Sequence, residues 1–176
     1  MYIDDIIIWA DSFSRHLQRL SQVLQRLRDA NLKLKPSKCR LFQRKVTFLG
    51  HVISAAGIEP DPDKISSVQE WPTPRCVTDI RAFLGLASYY RRHVKGFADI
   101  ARPLHELTRK NEPFQWNERR QEAFEQLKRC LVTAPKLSAP LDNGQYVLDT
   151  DASDIGLGAV LQQEQPDGLR VIAYAS

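Results

Sequence analysis

Cysteine is scarce in this 176-residue chain: only Cys39, Cys76 and Cys130 occur. An odd number at wide spacing excludes a disulfide framework and leaves three buried thiols in a reducing compartment as the expectation. The four histidines, His16, His51, His93 and His105, form no cluster with them, which argues against a zinc site. No apolar run approaches the ~18 residues of a membrane span, and no secretory signal opens the chain. Repeats and low-complexity tracts are absent. Acid is nearly missing from one stretch: Arg15 to Lys45 holds ten Lys/Arg and a single acid, Asp29. That segment carries +9, so with a net charge of +4 the rest of the chain carries −5. Such a block either attracts phosphates irrespective of sequence or forms a solvated face. What remains, 43% hydrophobic and 26% charged residues, is the composition of a soluble globular protein of one or two domains.

The first ten residues read Met-Tyr-Ile-Asp-Asp-Ile-Ile-Ile-Trp-Ala. Ile6, Ile7, Ile8 and Trp9 are of the types that fit a buried pleated surface, so they are expected to form a strand. Two adjacent carboxylates, Asp4 and Asp5, precede them. A buried ionised carboxylate without a partner is costly. Two explanations are open: a tight hairpin turn that lifts both to the surface, or a divalent cation. Adjacent residues on a straight strand point to opposite faces, and a hairpin tip brings them together, as a two-metal phosphoryl-transfer site requires.

Phe13, Leu17, Leu20, Leu24 and Leu27 recur at helical spacing behind Ser12, a plausible N-cap. Leu32 to Phe42 is expected to continue this helix with a turn at Pro36. Val46 to Ser54 reads as one strand, and Gly57-Ile58 opens a second across Ser54-Ala55-Ala56. Asp61-Pro62 is an N-cap followed by proline at the first helical position, with a break at Trp71-Pro72. A helix from about Thr78 to His93 buries Ile80, Phe83, Leu84, Ala87 and Tyr90. Its other face carries Arg81, Gly85, Ser88 and Arg92. Glycine in a helix costs about 1 kcal/mol relative to alanine, so Gly85 marks a close approach, either of a nucleic-acid groove or of another helix. Helices are expected over Ile100 to Thr108 and Asn117 to Cys130, and Pro135 and Pro140 bracket an extended segment. Tyr146-Val147-Leu148 is a strand running into Asp149-Thr150-Asp151-Ala152-Ser153-Asp154. Gly156 to Leu161 and Arg170 to Tyr174, separated by the turn Pro166-Asp167-Gly168, are two more.

Tyr2-Ile3-Asp4-Asp5 resembles the Tyr-x-Asp-Asp box of reverse transcriptases, and its extension Ile6-Ile7-Ile8 resembles the form in Ty3/gypsy-type long-terminal-repeat retrotransposons. The likeness continues in order through Lys35-Pro36-Ser37-Lys38-Cys39, Phe48-Leu49-Gly50-His51-Val52-Ile53-Ser54, Gly57-Ile58, Phe83-Leu84-Gly85-Leu86-Ala87-Ser88-Tyr89-Tyr90-Arg91 and Asp149-Thr150-Asp151-Ala152-Ser153. Co-linear matches at family spacing are specific where each alone is weak.

The resemblance implies an α+β chain: the C-terminal part of a polymerase palm (1–59), a helical thumb (60–110), a connection (111–140) and the first three antiparallel strands of a ribonuclease H-like domain (141–176). It implies descent from an RNA-directed DNA polymerase with ribonuclease H activity. Asp4 and Asp5 would be magnesium ligands at one site and Asp151 at the other, with two Mg2+ ions per site in the intact parent. Asp149 and Asp154 are expected as turn and cap residues. Phe48, Leu49, Gly50 and His51 match the primer grip. Arg81, Gly85 and Tyr89, with Arg92 nearby, match the thumb face that follows a minor groove. The implied partners are an RNA/DNA hybrid or primer-template, together with upstream palm and fingers and downstream ribonuclease H segments. No membrane partner is implied. An active element would work in a cytoplasmic particle and then the nucleus. Alone, the chain is expected to catalyse neither reaction, which leaves a non-catalytic nucleic-acid-binding module or a relic reading frame as the alternatives.

Overall fold

The computed structural model describes residues 3–153 and 156–176, with the backbone only of Ser153. Met1, Tyr2, Asp154 and Ile155 lie outside the described residues, and with them part of the Tyr-x-Asp-Asp box and one of the expected cap residues. The described chain is a mixture of five α-helices and two three-stranded antiparallel sheets.

Helix α1, Phe13–Asp29, starts where expected: the Ser12 hydroxyl accepts from the Arg15 amide at 3.3 Å. It stops at Asp29 because Asn31, two residues on, adopts a left-handed φ of +55°. Leu32 N–H then bonds to Leu27 and Asn31 N–H to Arg28, the 6→1 and 5→2 pair that closes a helix C-terminus. The helix therefore does not continue through Leu32 to Phe42. That segment is extended, with a short 3-10 turn at Pro36–Lys38. Proline lacks the N–H a helix interior needs and pushes Lys35 into the β region. No residue of α1 is buried, and Phe13 on its apolar stripe is 67% exposed.

Ile6 to Trp9 forms no strand. Their β-branched chemistry suits a sheet, but a strand also needs a ladder beside it, and among the described residues none runs alongside. Ile6, Ile7 and Ile8 are half-buried and Trp9 is exposed. The expected single strand from Val46 to Ser54 is two: β1, Lys45–Phe48, and β2, His51–Ser54. Leu49 and Gly50 break it with φ of +46° and +63°, the two-residue turn whose twist suits a hairpin. Ala55-Ala56 then leads to β3, Gly57–Pro60, which pairs with β2 in register Ser54↔Gly57.

Four helices share one core. They are α2 (Pro62–Gln69), α3 (Val77–Tyr89), α4 (Phe97–Glu106) and α5 (Glu118–Val132). Asp61 and Asn117 cap α2 and α5 with their side chains. Ile80, Phe83, Leu84, Ala87 and Tyr90, the face expected from spacing, are all buried. Phe83 meets Phe124 at 4.6 Å between ring centroids and Trp71 at 5.8 Å. This core runs from Val68 to Leu131 and so lies on both sides of residue 110. Helix α3 ends earlier than expected, at Tyr89. Arg91–His93 form a 3-10 turn, and Arg92 is carried on it rather than on the helix.

The second sheet is a meander of β4 (Tyr146–Ser153), β5 (Gly156–Gln165) and β6 (Gly168–Ala175). Gln163, wholly buried, holds the preceding segment in place. Its Oε1 accepts from the Leu141 amide at 2.9 Å and its Nε2 donates to the Leu141 carbonyl at 3.0 Å. Asp149 sits within β4 rather than in a turn, accepting from Gln162 Nε2 at 2.6 Å. On the same side of the sheet as their cross-strand partners, Leu148 and Leu157 are 61% and 75% exposed. Among the described residues no helix is long and apolar enough to cross a membrane.

The cysteine expectation is overturned. Cys39 and Cys76 are exposed, one in the extended segment after α1 and the other at the start of α3. Only Cys130 is partly buried, on α5, and burial pushes its thiol pKa up.

Candidate nucleic-acid interface

The β1–β2 turn and the end of α3 are built together. Leu49 stands in the left-handed region, a conformation that costs a bulky residue about 1–2 kcal/mol. Such strain persists where the surroundings over-determine it. Here the Leu49 carbonyl accepts from the Tyr89 hydroxyl at 2.6 Å and from His51 Nδ1 at 2.8 Å. The Gly50 carbonyl accepts from the Tyr90 hydroxyl at 2.8 Å and from the Asp61 amide at 3.0 Å. Four donors thus hold two adjacent carbonyls. A side chain on Gly50 would place Cβ 3.1 Å from the Tyr90 hydroxyl oxygen, so the close approach and the positive φ both favour glycine.

The rings behind the turn form a cluster. His51 lies 5.5 Å from Tyr89, 5.3 Å from Tyr90 and 5.6 Å from His93, the last pair nearly parallel at 24°. Tyr90 is buried, and burial, with Asp61 and Tyr89 adding to it, raises its pKa to about 12. It therefore keeps its proton and remains a donor. His93 is also buried, and burial lowers its pKa below the ordinary imidazole value.

Arg81, Gly85 and Tyr89 are spaced i, i+4, i+8 on α3, so they form one row along the helix. The row ends on the turn, because its last member is the tyrosine that bonds Leu49. All three are exposed. A Cβ built on Gly85 meets nothing within 4 Å. Among the described residues no second helix approaches it, so close helix packing does not account for this glycine. Arg81 Nη2 donates to the Thr108 carbonyl at 3.3 Å, fixing the guanidinium beside the end of α4. Arg92 is exposed on the 3-10 turn beyond the row. Phe48 and His51 face each other across the β1–β2 register and are half-buried.

The carboxylates are elsewhere. Asp4 and Asp5 are both exposed, Asp4 beside Ile3, whose φ is +51°. Asp151 is exposed in β4 opposite Gly158. Among the described residues no three His, Cys, Asp or Glu side chains come together as a metal-binding group. Adjacent exposed carboxylates are suitable oxygen donors for magnesium. They fit the ion in kind and supply only part of its coordination shell.

Sequence reasoning missed the roles of Tyr90 and His93. Tyr90 was legible only as a core residue. A buried tyrosine needs a partner for its hydroxyl, and that rule was the signal available. The basic block is spread over exposed positions of α1 and the extended segment. One of its members, Arg19, instead packs over the Trp9 ring at 4.9 Å and donates to the Trp9 carbonyl.

The family model described as reverse transcriptase (RNA-dependent DNA polymerase) matches residues 1–53. The model described as an RNase H-like domain found in reverse transcriptase matches residues 116–176. The chain is 41% identical over 164 residues to the retrovirus-related Pol polyprotein from transposon 297 of Drosophila melanogaster, covering 93% of this chain and 16% of that protein. It is 39% identical to the Pol polyprotein from transposon gypsy of the same fly, covering 93% and 17%. A transposon Tf2-3 polyprotein of Schizosaccharomyces pombe is 36% identical, covering 94% and 12%. The chain thus spans less than a fifth of the length of these relatives. Among solved structures, the dRH form of the foamy viral protease-reverse transcriptase in complex with double-stranded DNA superposes with a TM-score of 0.79 at 25% identity, over 95% of this chain and 30% of that one. The same enzyme in complex with an RNA/DNA hybrid gives 0.79 at 25% identity, over 95% and 23%. With both family models matched in order, close relatives across nearly its whole length and the foamy viral fold, the chain belongs to the reverse transcriptase and RNase H-like region of Ty3/gypsy-type retrotransposon Pol polyproteins.

Proposed function

We propose that this chain is the part of a retrotransposon reverse transcriptase that grips the primer-template, and that its carboxylates serve catalysis only within the whole polyprotein. The observation that carries this reading is the row Arg81, Gly85, Tyr89 ending on a turn held by four hydrogen bonds. A bare glycine in an exposed helix row suits a nucleic-acid backbone that must come close. The foamy viral enzyme, whose fold the chain shares, has been captured on double-stranded DNA and on an RNA/DNA hybrid. In this reading residues 1–59 belong to a palm, 60–110 to a thumb, 111–140 to a connection and 141–176 to the ribonuclease H-like domain. Phe48 to His51 sit at the primer end, with Arg81, Gly85, Tyr89 and Arg92 along the groove.

Reverse transcriptases in general depend on divalent metal. Asp4 and Asp5 would hold magnesium at the polymerase site and Asp151 at the ribonuclease H site. Bound there, the metal would neutralise charge on the transferred phosphoryl group. The protein's own share is to fix the carboxylates at a turn and to hold the primer end on the Leu49-Gly50 turn. Phosphate contact from the arginines gives affinity that ignores sequence and falls with salt. The experiment is binding of the purified chain to an RNA–DNA hybrid with and without Gly85→Ala. Binding weakened by that change supports the reading. Binding indifferent to it refutes the groove contact.

A further inference from the structure

The turn is tied to more than α3. Between α5 and β4 the chain crosses the molecule as a strap, residues 133–141, stiffened by Pro135 and Pro140. On one side the strap pairs with β3. Ile58 N–H bonds to the Leu137 carbonyl at 2.7 Å and Leu137 N–H returns to Ile58 at 2.9 Å. The approach is so close that a Cβ on Gly57 would lie 2.4 Å from the Leu137 oxygen. Lys136 adds an ion pair to Glu59 at 3.3 Å, and the two lysines beside Glu59, Lys45 first and then Lys136, hold its pKa below the ordinary carboxylate value. On the other side the strap is stitched into the second sheet. Ser138 N–H donates to the Val171 carbonyl at 2.8 Å, Gln165 Nε2 to the Ala139 carbonyl at 2.9 Å, and Gln163 holds Leu141 from both sides.

His93 joins the strap to the turn. Its Nδ1 lies 3.2 Å from the Pro135 carbonyl, so that nitrogen carries the hydrogen. Burial favours the neutral ring, so Nδ1–H is the one N–H it offers. Its face stacks on His51, whose own Nδ1 points at the Leu49 carbonyl and must likewise donate. The path from strap to turn is therefore short: Pro135 carbonyl, His93, His51, Leu49 carbonyl. We propose that His93 is a positioning residue that sets the Leu49-Gly50 turn from the strap, so that the primer contact and the second sheet keep a fixed relation. This deepens the reading of the turn as a primer contact and rests on it for its functional meaning. A nucleic acid lying on both the turn and the second sheet must meet them at one spacing along its length, and hydrogen bonds joined by the His93–His51 stack supply that constraint.

The test uses the full chain with two substitutions. His93→Asn keeps a side-chain N–H close to where Nδ1 stands, and His93→Leu removes it. Amide NMR of the free protein reads Leu49, Gly50 and Ser138, with the coupling constant that reports φ at Leu49. His93→Leu, which loses both the donor and the ring, is expected to move all three signals and the coupling; His93→Asn, which keeps the donor and loses the ring, is expected to leave Ser138 close to the parent's and to move Leu49 and Gly50. Affinity for an RNA–DNA hybrid should fall about two- to tenfold in both variants, the worth of one positioned hydrogen bond at the turn. If His93→Leu does not fold, His93→Gln, which shifts the donor outward by one bond, is expected to move the same signals. In His93→Leu, unmoved Leu49 and Gly50 signals overturn the proposal, as do signals that move at the turn while Ser138 stays. A parent chain that binds no hybrid refutes the primer-contact reading instead, and the NMR comparison still decides whether His93 sets the turn.

Discussion

Replacing Gly85 with alanine should move stability and binding in opposite directions. The position lies within α3, where glycine costs about 0.5–1 kcal/mol of helix stability relative to alanine. Its φ is not in the left-handed region, and a built Cβ meets nothing within 4 Å, so alanine meets neither strain nor clash in the free chain. Gly85→Ala should therefore stabilise the fold by about 0.5–1 kcal/mol, a rise in Tm of about 1–4 °C for a chain of this size. If a nucleic-acid backbone lies against that face, the added methyl occupies space the ligand needs. Overpacking of that kind costs about 1–2 kcal/mol, a five- to thirtyfold loss of affinity. Thermal unfolding and hybrid titration on the same preparations read the two effects. A more stable variant that binds the hybrid as tightly as the parent refutes the reasoning. So does a destabilised variant, which would mean that an unseen neighbour occupies the space.

Tyr90→Phe removes the hydroxyl from the Gly50 carbonyl, which keeps its bond from Asp61, so the loss should be about 1 kcal/mol by denaturant unfolding. A loss beyond about 3 kcal/mol would mean that the hydroxyl does more than hold the turn. Gly57→Ala places a methyl against the Leu137 oxygen and should detach the strap from β3, seen as faster hydrogen exchange at Ile58. Unchanged exchange there would contradict the close approach. His93 has a folded-state pKa below its unfolded value, so the unfolded chain binds the proton more readily. The stability this contributes is present above the ordinary imidazole pKa of about 6.5 and is lost as pH falls through the folded value. His93→Asn should flatten the unfolding free energy in that window, and an identical acid slope would exclude His93 as its source. The purified chain with magnesium should extend no primer, and extension abolished by Asp4→Asn would overturn that expectation.

The helices were the legible part of this fold. Apolar spacing placed α1 and the buried face of α3, and Ser12, Asp61 and Asn117 cap the helices they precede. The three strands of the second sheet were legible too, from apolar runs and a turn with Asp167-Gly168, although β5 runs past the expected Leu161 to Gln165. What local pattern did not carry was pairing. Ile6 to Trp9 look like a strand and are not one, since β chemistry makes a strand only beside a partner. Val46 to Ser54 read as one strand because five of its nine residues are apolar, and the glycine inside it was the overlooked turn signal. At the candidate site, motif spacing brought Phe48 to His51 and the Arg81, Gly85, Tyr89 row into view. The side-chain bonds that join them, from Tyr89 and Tyr90 to two carbonyls, each span 40 residues of chain and leave no local trace. Exposure of Cys39 and Cys76 was equally invisible, because a lone cysteine carries no pattern that tells a buried thiol from an open one.

The most direct measurement is the affinity of the purified chain for an RNA–DNA hybrid across a salt series, with Arg81→Ala and Arg92→Ala beside the parent. The account predicts binding that weakens steeply with salt, indifferent to sequence, with a shallower salt slope in each variant. No binding at low salt, or binding with an unchanged slope when both arginines are removed, would contradict the claim that this face grips nucleic acid.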